Sequence, residues 1–203
     1  MRRFLIFLGM VFPVVVLAAS YDTSHLPYSD APRELRTAVA VSFLTEEEVL
    51  QGYADGTFRP NHLVNRAEFV KIALKLAPEI APVEGIACFP DVESSAWYAP
   101  FVCAAKHAEI VRGDPLDGIQ PSRWHFHPER SVNYAEAVKI LIGTLEIPLI
   151  QTDALAWYTP YLATAVAQGI SLPDMHPDDL LTRGEIAELA ASFLAYSRGE
   201  LPL

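Results

Sequence analysis

One four-residue pattern occurs three times along the chain: Asn65-Arg66-Ala67-Glu68, Asn133-Tyr134-Ala135-Glu136 and Thr182-Arg183-Gly184-Glu185. Each copy places a glutamate three residues after a short polar residue. That is the spacing of a capping box, in which the N-cap side chain takes the N3 amide and the N3 carboxylate reaches back to the N-cap amide. Asn65, Asn133 and Thr182 are therefore read as N-caps, and Glu68, Glu136 and Glu185 as capping glutamates. Apolar residues then recur at helical spacing: Phe69, Ile72, Ala73 and Leu76; Val138, Leu141, Ile142 and Leu145; Ile186, Leu189, Ala190, Phe193 and Leu194. Three helix starts of one kind restrict the chain to an array of repeated units.

A second motif supports the array. Ala96-Trp97-Tyr98-Ala99-Pro100-Phe101-Val102 and Ala156-Trp157-Tyr158-Thr159-Pro160-Tyr161-Leu162 share four of seven residues at an offset of 60. An aspartate precedes each, Asp91 and Asp153, and Asp30 stands 61 residues before Asp91. The order of each unit is aspartate, helix, loop, helix. The units span 21–80, 81–147 and 148–203. In unit two the first helix is expected from near Trp97 to about Ala108. Ala, Leu, Glu and Lys dominate the helical stretches and no alternating strand is evident, so the fold class is all-α. In unit one the helices are joined by Gly52-Tyr53-Ala54-Asp55-Gly56-Thr57-Phe58-Arg59-Pro60-Asn61. Asp55-Gly56 marks a tight turn with positive φ at Gly56, Phe58 is expected to tuck against the helices, and Pro60 fixes the exit.

The first 20 residues read as an export signal. Arg2 and Arg3 precede an apolar run from Phe4 to Leu17, and Ala18, Ala19 and Ser20 are small enough for signal peptidase. The run falls short of the about 20 residues that span a bilayer, and Pro13 interrupts it. No later stretch is long and apolar enough to span. In an oxidising compartment Cys88 and Cys103 are expected to form a disulfide; a zinc site and two free thiols are the alternatives. Zinc lacks further ligands at familiar spacings, with only His125 and His127 standing two apart, so no metal or cofactor is expected. Lys and Arg number 15 against 25 Asp and Glu, a net charge of −10 that disfavours general nucleic-acid binding.

The unit-one loop from Gly52 to Asn61, followed by an N-cap-Arg-Ala-Glu box and preceded by an aromatic-x-Asp and a helix, resembles the S-layer homology repeat. The resemblance runs from Tyr28 to about Ala195. Unit two matches at Phe89-Pro90-Asp91-Val92 and Trp97-Tyr98. Unit three departs in its loop, where Gly169-Ile170 leads through Pro173-Asp174 to Thr182. The resemblance implies a three-pronged, pseudo-threefold α-helical module. Such modules bind secondary cell-wall polysaccharide or peptidoglycan, often through pyruvylated sugars, and anchor proteins to the bacterial surface. The family places its ligand-binding arginine where Arg66 and Arg183 stand. Unit two has Tyr134 there, which implies a groove that is inactive or binds by stacking alone.

Arg66 and Arg183 occupy the first helical position, where a cation opposes the helix dipole. Each either pairs with a nearby carboxylate or, together with free helix N–H groups, forms an anion site suited to a pyruvyl carboxylate. Tyr53, Trp97 and Trp157 are the other candidate ligand-binding aromatics; for the two tryptophans core packing is the favoured use and sugar stacking the alternative. Asp30, Asp91 and Asp153 are read as helix caps or turn formers. Asp55-Gly56-Thr57 lacks the spaced oxygen ligands of a calcium loop. An envelope hydrolase using two carboxylates is set aside, because the three units consume the chain and no nucleophile elbow appears. The remaining alternative is an exported protein-interaction scaffold that has lost glycan binding. No cargo domain is evident beyond the short tail from Ala195, so a lone function, oligomerisation or a recruited protein partner all remain open.

Overall fold

The computed structural model describes residues 26–115, 117–153 and 156–200, and the proposed signal segment lies outside them. Six α-helices run through the described residues: α1 (Leu35–Glu46), α2 (Arg66–Lys75), α3 (Ala99–His107), α4 (Tyr134–Thr144), α5 (Thr159–Ala167) and α6 (Arg183–Ser197). Among the described residues there is no β-strand, only isolated bridges, and no helix is long and apolar enough to cross a membrane. The fold is all-α.

Local chemistry sets the starts of α2, α4 and α6. Asn65, Asn133 and Thr182 each accept the amide of the glutamate three residues on, and each glutamate carboxylate accepts the N-cap amide in return. The shorter helices α3 and α5 carry proline in the first turn, where no intrahelical N–H is needed.

The three segments entering those capped helices bond to one another in a closed cycle. The Val64 amide donates to the Leu181 carbonyl at 3.1 Å, Leu181 to Val132 at 3.2 Å, and Val132 to Val64 at 3.0 Å. All three side chains are fully buried. The next amides repeat the pattern. Arg66 and Ala67 donate to Arg130 and Pro128, Tyr134 and Ala135 to Asp179 and Pro177, and Arg183 and Gly184 to His62 and Pro60. A unit cannot complete its own helix starts, because their orphan amides are satisfied by the next segment in the cycle.

Helix pairing follows the same exchange. α3 packs on α2, α5 on α4, and the first helix, α1, on the last, α6; α2 also touches α4. Each pair joins helices of different sequence units, and one continuous core runs from Phe43 and Phe58 through Phe69 and Phe126 to Phe193. Phe58 is fully buried, and Gly56 has φ of 78° in the tight turn. Cys88 and Cys103 are bonded, with Cα atoms 5.3 Å apart, tying the segment before α3 to the helix itself.

Candidate functional site

Two grooves correspond position for position. The larger, of about 510 Å³, lies against α4 and is lined by Arg66, Asp114, Glu136, Lys139, Trp157 and Tyr161 among others. The smaller, of about 230 Å³, lies against α2 and includes Arg183, Tyr53, Glu68, Lys71 and Trp97. Each groove combines a loop and a second helix from one unit, an arginine from the preceding unit in the cycle, and a tryptophan from the following one.

Trp97 and Trp157 are 53% and 52% exposed, so the core packing favoured from sequence is corrected. Each stands one residue before the N-cap tyrosine of a short helix, where the helix pair does not cover it. Each indole is instead braced at its edge by the adjacent tyrosine, Tyr98 or Tyr158. Beside each ring stands a lysine: Lys71 Nζ is 5.3 Å from the Trp97 centroid and Lys139 Nζ is 5.3 Å from that of Trp157. An ammonium at the ring is a cation–π contact, and about half of each tryptophan stays exposed beside it. Burial is the main cause that pushes the Lys139 ammonium below its usual value, aided by Arg112 and Arg66 and opposed by Glu136. The two lysines were not singled out in the sequence. The signal that finds them is their register, since each stands six residues after its N-cap asparagine.

The arginines differ from one another. Arg66 is 5% exposed; its Nε donates to the Phe126 carbonyl at 2.9 Å, its Nη1 to Glu136 at 2.8 Å, and its plane lies over the Phe126 ring. Burial, the largest influence, draws its pKa down, with Glu136 opposing. Arg183 is half-buried. It donates through Nε to the Phe58 carbonyl at 2.8 Å and through Nη2 to the Gln51 carbonyl at 3.0 Å, and it lies over the Tyr53 and Phe58 rings. Tyr53 also carries Arg59 at 4.0 Å from its centroid. The free helix N–H groups expected around both arginines are not available. The first two amides of each helix serve the cycle described above, and the third serves the N-cap side chain. Side-chain cations and aromatic surfaces are what these grooves offer a ligand.

The third position of the cycle is built differently. Tyr134 replaces the arginine, is 4% exposed, and accepts the Leu172 amide through its hydroxyl at 3.2 Å, so its ring is packed rather than presented for stacking. Glu188 stands where Lys71 and Lys139 stand. It pairs with Arg36 at 3.3 Å and accepts from Thr37 at 2.5 Å.

The aspartates ahead of the first helices do not cap those helices. Asp30 accepts the amides of Phe58 and Arg59 at 2.6 and 2.9 Å, and Asp91 accepts those of Phe126 and His127 at 2.8 and 2.7 Å. Arg59 and His127 have φ of 59° and 56°, and the carboxylates hold that backbone in place. In unit three the corresponding amide, His176, is taken by Asp179.

The closed cycle, the three capping boxes and the twin grooves define an all-α tandem-repeat module. The family model of the S-layer homology domain matches residues 27–70 and 89–138, so the chain carries tandem S-layer homology repeats. Over 185 residues it is 27% identical to the "Middle cell wall protein" of Brevibacillus brevis, covering 88% of this chain and 16% of that protein. It is 29% identical to the "Surface-layer 125 kDa protein" of Lysinibacillus sphaericus, covering 73% of this chain and 13% of the relative. Against the "Cellulosome-anchoring protein" of Acetivibrio thermocellus it is 25% identical over 61% of this chain and 27% of that protein. The chain thus spans only a minor part of each relative's length.

Proposed function

We propose that this chain is a non-catalytic cell-envelope module that binds cell-wall polysaccharide and holds to the bacterial surface, its units arranged about a pseudo-threefold axis. The observation that carries the reading is the repeated groove, with an exposed tryptophan over a lysine and an arginine behind it, in two of three equivalent positions. An aromatic face suits the apolar side of a sugar ring, and the neighbouring cations suit a carboxylate such as that of a pyruvyl ketal. The relatives' names, cell-wall, surface-layer and anchoring proteins, agree with that use. A catalytic role is disfavoured by how the carboxylates are employed: Glu68, Glu136 and Glu185 cap helices, and Asp30 and Asp91 hold loop backbone.

The test is a pull-down with purified cell-wall polysaccharide before and after chemical removal of pyruvyl groups. Binding that falls on depyruvylation supports an anionic sugar ligand. Binding that persists unchanged removes the pyruvyl carboxylate, and no binding to either preparation leaves the protein-interaction scaffold as the better reading.

A further inference from the structure

Asp91, His125 and His127 bring a carboxylate oxygen and two imidazole nitrogens within 4.8 Å of one another. His125 is extended where it bridges to Asp114, and two residues on the chain turns, with φ of 56° at His127. Their rings are 5.7 Å apart. Asp91 meets them because it accepts the Phe126 and His127 amides, and that same staple fixes the carboxylate next to the rings. A carboxylate holding two amides still has lone pairs to donate.

We propose that Asp91, His125 and His127 form a binding site for a late first-row divalent cation, zinc being the ion of choice. Two imidazoles and one carboxylate suit zinc, nickel or copper, and disfavour calcium and magnesium, which take oxygen ligands. Donors bound to one ion at about 2.1 Å lie no more than about 4.2 Å apart, so a modest rotation of the exposed His127 ring closes the set. Asp114, whose carboxylate is 3.9 Å from His127 Nε2, or a water takes the fourth place. Arg130 pairs with Glu136 at 2.6 Å and with Asp114 at 3.3 Å.

Unit one supplies an independent reason. The residues equivalent to Asp91, His125 and His127 are Asp30, Thr57 and Arg59. There the Arg59 guanidinium is bonded to Asp55 at 2.7 Å and to Thr57 at 3.2 Å, with Asp30 a weaker charged neighbour. Unit two has His127 in place of that arginine and His125 in place of Thr57, which makes the pair of imidazoles. A bound cation would stand in unit two where the Arg59 guanidinium stands in unit one, and it would link residue 91 to the loop that borders the larger groove.

The test is titration calorimetry and thermal melting of the purified protein with zinc chloride in a non-chelating buffer, with calcium chloride in parallel. One zinc ion per chain and a raised Tm are expected, because a ligand that binds only the folded state stabilises it by mass action. His125→Ala and His127→Ala should each weaken zinc binding by at least about tenfold, the scale of outer-shell changes alone, and the pair should abolish it. His127→Arg, which restores the unit-one arrangement, should keep the Tm of the metal-free parent and lose the response to zinc, so a folding defect is separated from loss of the site. Absence of binding at millimolar zinc, equal shifts with calcium, or undiminished binding by the double variant would each overturn the proposal. None of these outcomes bears on the glycan reading.

Discussion

Arg66 donates to Glu136 across a distance of 2.8 Å while almost completely buried, whereas Arg183, at the equivalent helix start, is half-exposed and rests on two backbone carbonyls. The same motif position therefore carries unequal structural weight. Removing Arg66 takes the donor from the Phe126 carbonyl and leaves Glu136 with Arg130 as its remaining cation, in a largely buried setting. Arg66→Ala should cost about 3 kcal/mol. Arg183→Ala should cost about 1–2 kcal/mol. Chemical denaturation midpoints of the two variants check this, and equal losses would contradict it.

The tryptophans should show the reverse balance between stability and binding. Trp97→Ala and Trp157→Ala remove half-exposed rings, so Tm should fall little. Polysaccharide binding should drop by about tenfold for each altered groove, the size of an aromatic contact plus its cation–π partner. Lys71→Ala and Lys139→Ala should weaken binding and make it less sensitive to salt, since an ammonium contributes charge that salt screens. Retention of full affinity in the Trp97→Ala, Trp157→Ala double variant would rule out the grooves as the glycan sites.

The third position should be silent. Glu188→Ala breaks contacts with Arg36 and Thr37 and should lower Tm slightly, by up to about 1 kcal/mol of stability, as for other partly exposed ion pairs. Polysaccharide binding should stay at the parent level; a marked loss would show that this groove also takes ligand.

Acid should loosen the loops in a defined window. The Asp30 carboxyl is held below its usual value, chiefly by the Phe58 amide. For Asp91, burial pushes upward but the amides of Phe126 and His127 outweigh it, and the net direction is also downward. A carboxyl whose folded pKa is depressed contributes stability that is present above its unfolded value, near 3.9, and lost as pH falls through the folded value. Tm measured against pH should therefore drop below about pH 4. Asp91→Asn should flatten that slope while lowering Tm at neutral pH; an unchanged acid slope would show that other carboxylates dominate.

Reducing the Cys88–Cys103 bond should cost about 3 kcal/mol by the chain-entropy account. Melting with and without reductant measures it. A thiol assay on denatured, unreduced protein should find none from this pair; two free thiols per chain would refute the bond.

The sequence by itself determined what depends on a few adjacent residues. The three helix starts were legible because a capping box closes within four residues, and Asn65, Asn133 and Thr182 bond as local stereochemistry dictates. The tight turn at Gly56 and the all-α class were legible for the same reason. What only the tertiary structure decided is which distant segment completes each local one. Nothing near Asp91 says that its partners are the amides of Phe126 and His127, and nothing in α1 says that it packs on α6. The exposure of Trp97 and Trp157, the placing of Lys71 and Lys139 beside them, and the burial of Arg66 against Glu136 all arise where units meet. An isolated unit leaves its first helical amides without acceptors, and the closed cycle through Val64, Leu181 and Val132 supplies them from the neighbour. Helix starts are short-range and readable; burial and pairing are set by that long-range exchange.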